Sequence, residues 1–81
     1  MKLADTVEMM NSVDYKERFR GEWLQLRIRM SGLGNMLEQY KAGTLKFKPT
    51  CSYDLLNAQL KAMEQYDYFL QERAKIEGIE L

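Results

Sequence analysis

Between Val13 and Ala42 the residues Phe19, Trp23, Leu26, Met30, Leu33, Leu37 and Tyr40 are spaced 4, 3, 4, 3, 4, 3. That rhythm is a heptad seam, and it predicts a long helix packed lengthwise on another. Gly43 suits the residue just past its end, because glycine enters the left-handed conformation without steric cost. In the connector GTLKFKPT, Pro49 holds Lys48 extended and stops the helix from continuing. Thr50 or Ser52 caps a further helix, whose stretch LLNAQLKAMEQYDYFLQERAKI (Leu55–Ile76) holds neither proline nor glycine. There Leu56, Leu60, Met63, Leu70 and Ala74 form one stripe, and Leu55, Ala62, Tyr66, Phe69 and Ile76 form a second beside it. Gly78 ends that helix. Near the start, Leu3, Val7 and Met10 share helical spacing and predict a short helix. Ser12 reads as the N-cap of the next helix, with Asp14 in its first turn, where a negative charge favours the dipole.

The expected architecture is all-α in a single domain, residues 1–81: a short helix over 3–11, helices over 13–42 and 52–77, and a loop over 43–51. The two long helices form an antiparallel hairpin. A lone hairpin buries one side of each helix, yet Leu24 and Ile28 lie off the seam and the second stripe exceeds what one partner covers. Exposed apolar surface of that extent marks an interface. A homo-oligomer is therefore expected, the alternative being that the N-terminal helix covers the surplus. Gly32 and Gly34, in RMSGLGNML, cost about 1 kcal/mol each in a helix. A kink or the close approach of a neighbouring backbone would justify them, the alternative being tolerated sequence drift in an oligomer with stability to spare.

Composition narrows the picture. At 81 residues the chain is marginal alone, and it lacks the usual staples: Cys51 is the one cysteine and there is no histidine. Without histidine there is no Ser-His or Cys-His arrangement, and SGLGNM follows no strand, so it is no phosphate loop. No enzyme activity, cofactor or metal site is expected. The lone cysteine and the absence of a leader-like apolar run at the N-terminus point to the cytoplasm, and no segment reads as a membrane span.

Twelve basic and twelve acidic residues cancel, which gives no reason to expect membrane or long nucleic-acid binding. The distribution is uneven. Residues 15–31 hold five basic and two acidic residues, and 41–48 add Lys41, Lys46 and Lys48 without an acid. Tyr15, Lys16, Arg18 and Arg20 cluster at a helix start, a setting in which amides and arginine bind anions and a ring stacks on a base. The plainer reading packs Tyr15 on the N-terminal helix and leaves the charges in water. Gln59, Tyr66 and Arg73 are seven residues apart and share one face, suited to a polar ligand or to a network that fixes oligomer register.

The series Leu55, Leu56, Gln59, Met63, Tyr66, Leu70 and Arg73 resembles the second helix of a small phage and prophage family first named from a crAss-like phage protein. DYKERFRGEWLQLRIRMSGLGNML resembles that family's first helix in length and amphipathic pattern, and the likeness spans about residues 13–77. The family is similar to the hairpin domain of phage sponge proteins that defeat the CBASS and Thoeris defences. The resemblance implies a non-enzymatic homo-oligomer, a hexamer being one candidate, that sequesters a cyclic oligonucleotide or a cyclic ADP-ribose type ligand between protomers. It implies an infected or lysogenic bacterial host. Arg73 lies in the matching motif, and Tyr15 with Lys16 resembles the aromatic-basic pair near the start of the family's hairpin. The alternative function is a helical protein–protein inhibitor or assembly factor of phage origin. A third reading, a nucleic-acid binder using residues 16–29, is disfavoured by the zero net charge.

Overall fold

A computed structural model describes all of residues 1–81. It is all-helical. A 3₁₀ turn, Leu3–Thr6, runs into the one-turn helix α1, Val7–Met10; α2 spans Tyr15–Ala42 and α3 spans Tyr53–Glu77. The stretch expected as one helix over 3–11 is thus a tight turn followed by a single α turn. Thr6 sits at the join, buried, and its hydroxyl donates to the Leu3 carbonyl at 2.7 Å.

The caps decide where the long helices begin. Asp14, not Ser12, is the N-cap of α2, and its carboxylate accepts from the Lys16 N–H at 3.0 Å. Ser12 lies too far ahead of Tyr15 to reach the free amides of the first turn. Its hydroxyl oxygen accepts from the Asp14 N–H at 3.1 Å and shapes the approach to the cap. Of the two candidates before α3, Ser52 is the cap, accepting from the Leu55 N–H at 3.2 Å. Both helices end on a left-handed glycine, Gly43 at φ 75° and Gly78 at φ 71°.

α2 and α3 run antiparallel along a 43 Å long axis. Every seam residue of α2 is buried or half-buried, from Phe19 through Leu26 and Leu37 to Tyr40. Phe19, Leu26, Leu70, Ala74 and Ile79 form the core cluster, with Trp23, Met30 and Met63 against it. The α3 seam runs Leu56, Leu60, Met63, Asp67, Leu70, Ala74. Asp67 therefore occupies a position that the heptad reserves for hydrocarbon, and it is only 7 % exposed. Its oxygens accept from Trp23 Nε1 at 2.7 Å, Arg27 Nη1 at 3.0 Å and Gln71 Nε2 at 3.1 Å. A buried carboxylate is tolerated only when donors replace its lost water, and here three do.

The N-terminal segment packs on α2. Leu24 and Ile28, expected to stand clear for a second protomer, are half-buried and share a recess with Met1. The close approach that glycine permits is made at Gly21, not at Gly32 or Gly34. A Cβ on Gly21 would lie 3.0 Å from Met9 Cβ and 3.2 Å from the Met10 backbone nitrogen. At Gly32 it would meet nothing within 4 Å, and at Gly34 only Leu60 Cδ2 at 4.0 Å. α2 continues helical through both. The second stripe of α3 stays uncovered, with Leu55 60 % and Ile76 84 % exposed.

Gly32→Ala raises unfolding stability by about 1 kcal/mol, since the methyl enters open space and improves helix propensity. Gly21→Ala lowers it by about 1–2 kcal/mol, because overpacking against α1 outweighs the same gain. Paired urea titrations check the opposite signs.

Asp67→Ala lowers stability by about 2–4 kcal/mol through the lost charge-assisted bonds and an orphaned indole N–H. Urea unfolding followed by Trp23 fluorescence measures it; a loss under about 0.5 kcal/mol would contradict the account.

Candidate functional site

The start of α2 meets the end of α3, and five of the seven candidate ligand residues gather there: Tyr15, Lys16, Arg18, Arg20 and Arg73. The positive end of one helix dipole thereby faces the negative end of the other. Contacts within the chain already engage these groups. The Tyr15 hydroxyl donates to Glu77 Oε1 at 2.6 Å and accepts from Arg73 Nη2 at 3.1 Å. Arg73 Nε donates to Glu77 Oε2 at 3.3 Å. Lys16 Nζ reaches the Gly78 carbonyl at 3.5 Å, and Arg20 Nε donates to the Glu80 carbonyl at 2.7 Å. Arg18 donates to the Ser12 carbonyl at 2.8 Å and holds its guanidinium 6.0 Å from the centre of the Tyr15 ring.

Tyr15 makes an edge-on contact with Phe19, ring centres 6.2 Å apart, and the bond to Glu77. Tyr66 lies about two turns earlier on α3, where its hydroxyl donates to Glu22. Gln59, fourteen residues before Arg73, is about 21 Å from it along the helix. Its amide contacts only Met63 sulfur, at 4.0 Å. Gln59, Tyr66 and Arg73 do share an exposed face, but one small ligand on one chain cannot span them.

Two residues of this region escape sequence reading. Glu77 carried one available signal, its i+4 spacing from Arg73, which ion pairs on helices favour. Asp67 could have been found by extending the α3 heptad across the gap between Met63 and Leu70.

The triad Tyr15–Glu77–Arg73 shifts its own titrations. The hydrogen bond from Tyr15, followed by that from Arg73, holds the Glu77 carboxyl below its ordinary value. The same bond to Glu77 pushes the Tyr15 phenol up.

Shallow recesses of 230–310 Å³ occur on the surface, one of them at this same end beside Ala74, Lys75 and Ile79, and none is lined by any of the seven candidates. At the far end of the hairpin, Tyr40, Gly43, Leu45, Phe47, Lys48 and Pro49 line one of them. No helix is long and apolar enough to cross a membrane.

A lowered carboxyl stabilises the fold above its ordinary pKa of 4.5, and that contribution is lost as pH falls through the folded value. A raised phenol acts in reverse: its contribution holds below pH 10 and is lost as pH rises through the folded value. The melting temperature of the wild type should therefore fall more steeply below pH 4.5 than that of Glu77→Gln. Above pH 10 it should fall more steeply than that of Tyr15→Phe. Thermal melts across both windows provide the check.

No curated protein and no solved structure matches the chain. The Sequestin family model matches residues 13–76, which take in α2, the loop and all but the last residue of α3. The match contains all seven candidate residues and leaves out the 3₁₀ turn and α1. With both helices of the hairpin inside it, the chain belongs to the Sequestin family.

Proposed function

We propose that this protein is a non-enzymatic phage anti-defence sponge that binds cyclic nucleotide immune signals between protomers and holds them unchanged. The name of its family points to sequestration of a ligand. One observation carries the reading: the aromatic and basic end of the hairpin adjoins an apolar face that the chain itself leaves open. Tyr66, Phe69 and Ile76 are exposed on the same helix as Arg73. The recesses of a single chain, 230–310 Å³, reach only the bottom of the about 300 to 1,000 Å³ range of drug-sized ligand pockets, and they omit the candidate residues. A second protomer on the open face of α3 would wall a larger site. The ligand class is a cyclic di- or trinucleotide or a cyclic ADP-ribose isomer: its phosphates suit Arg73 and Lys16, and its bases suit the Tyr15 ring. The site of action is the cytoplasm of an infected or lysogenic bacterium. The same open face also favours a second reading, a helical inhibitor or assembly factor whose partner is a protein.

Light scattering should give a mass well above the 9.6 kDa of one chain at micromolar concentration. Calorimetry with a panel of cyclic nucleotides should detect binding, and denaturation should release the ligand intact. Arg73→Ala and Tyr15→Ala should each weaken it roughly ten- to hundred-fold, while Lys2→Ala leaves it unchanged. A monomer that gives no heat and no thermal shift with any panel member would remove the sponge reading and favour the protein partner.

A further inference from the structure

Arg73 is held on three sides before any ligand arrives. Its guanidinium lies 5.1 Å from the centre of the Phe19 ring, Nε donates to Glu77 Oε2, and Nη2 donates to the Tyr15 hydroxyl. A guanidinium has more N–H donors than these two bonds use. The side chain is 52 % exposed, so the unused donors face solvent. The Tyr15 hydroxyl has given its one proton to the other oxygen of the same carboxylate. What Tyr15 offers outward is its ring, in a residue that is 45 % exposed. The backbone just past Glu77 is itself tied to α2 through Lys16 and Arg20.

We infer that Glu77 is the positioning residue of the ligand site: without touching ligand, it fixes Arg73 as a ready phosphate fork and turns the Tyr15 ring outward as a stacking face. This rests on the sponge reading. The opposing effect of Glu77, repulsion of a phosphate, is blunted because each of its oxygens is committed to a donor. The favourable effect is pre-organisation. A long cationic side chain already held in its binding geometry loses less rotamer freedom when ligand arrives. Glu77 is thus an anion that improves anion binding.

The test is calorimetry with the tightest-binding member of a panel of cyclic di-GMP, cyclic di-AMP, cyclic tri-AMP and cyclic ADP-ribose. It compares the full chain with Glu77→Gln, Arg73→Ala, the double variant and Tyr15→Phe, each checked for an intact far-UV spectrum. Glu77→Gln should weaken binding roughly three- to ten-fold, the scale of losing one pre-ordered side chain. In the Arg73→Ala background it should cost clearly less, because the part of its effect that passes through Arg73 is already lost and only the part through Tyr15 remains. Tyr15→Phe keeps the stacking ring but loses the bond that turns it outward, so it should weaken binding by no more than Glu77→Gln does. Equal or tighter binding by Glu77→Gln overturns the positioning role and leaves the sponge reading intact. An equal cost in both backgrounds also overturns it, by making Glu77 a general structural support. Failure of every panel member to bind the wild type overturns both.

Discussion

A single carboxylate in the seam between two helices sets the geometry of this hairpin. Leu, Met and Phe side chains in a heptad seam can slide by one repeat and find similar company. Asp67 cannot, because two of its three donors, Trp23 and Arg27, lie across the seam on α2 and only one register brings both to it, while Gln71 accompanies it on α3 in any register. The contact resembles the buried polar residue that fixes register in coiled coils, at some cost in stability. That register brings the start of α2 opposite the end of α3, and so brings Tyr15 to Glu77 and Arg73. The candidate site is therefore a downstream consequence of a bond near the middle of the hairpin.

The apolar surface of the two long helices exceeds what they bury against each other. The chain covers part of the surplus on α2 by folding the 3₁₀ turn and α1 onto it, and Gly21 permits their close approach. Nothing equivalent lies on α3, where the second stripe faces water. In the proposed assembly, α3 supplies both the surface for a neighbouring protomer and Arg73 for the ligand.

The charged residues divide into two kinds. Those around α2's start are partnered within the chain, through backbone carbonyls as much as through carboxylates. Lys41, Lys46 and Lys48 at the loop end form no ion pair. A cluster of basic residues in a sequence thus says little about whether its charge is free. At Arg73 both conditions hold, with some donors engaged and others open to solvent, which is why it is the pivot of the proposed site.

Helix content, the antiparallel pairing, the terminating glycines and the uncovered second stripe of α3 were all legible in the sequence. Each follows from local propensity and a period of three to four residues, which neighbours in the chain carry by themselves. The clustering of Tyr15, Lys16, Arg18 and Arg20 was equally plain, being contiguous. Their partners were not, because Glu77, Gly78 and Glu80 lie about sixty residues away. Gly32 and Gly34 drew attention as a pair, yet Gly21 bears the close contact, since only the folded chain decides where α1 lands. Asp67 stands at the heptad position between Met63 and Leu70, but only the packed helices decide that Trp23 and Arg27 are its donors. Periodicity fixes which residues share a helix face; which groups meet across helices depends on register, and register is decided by long-range polar geometry that no local spacing encodes.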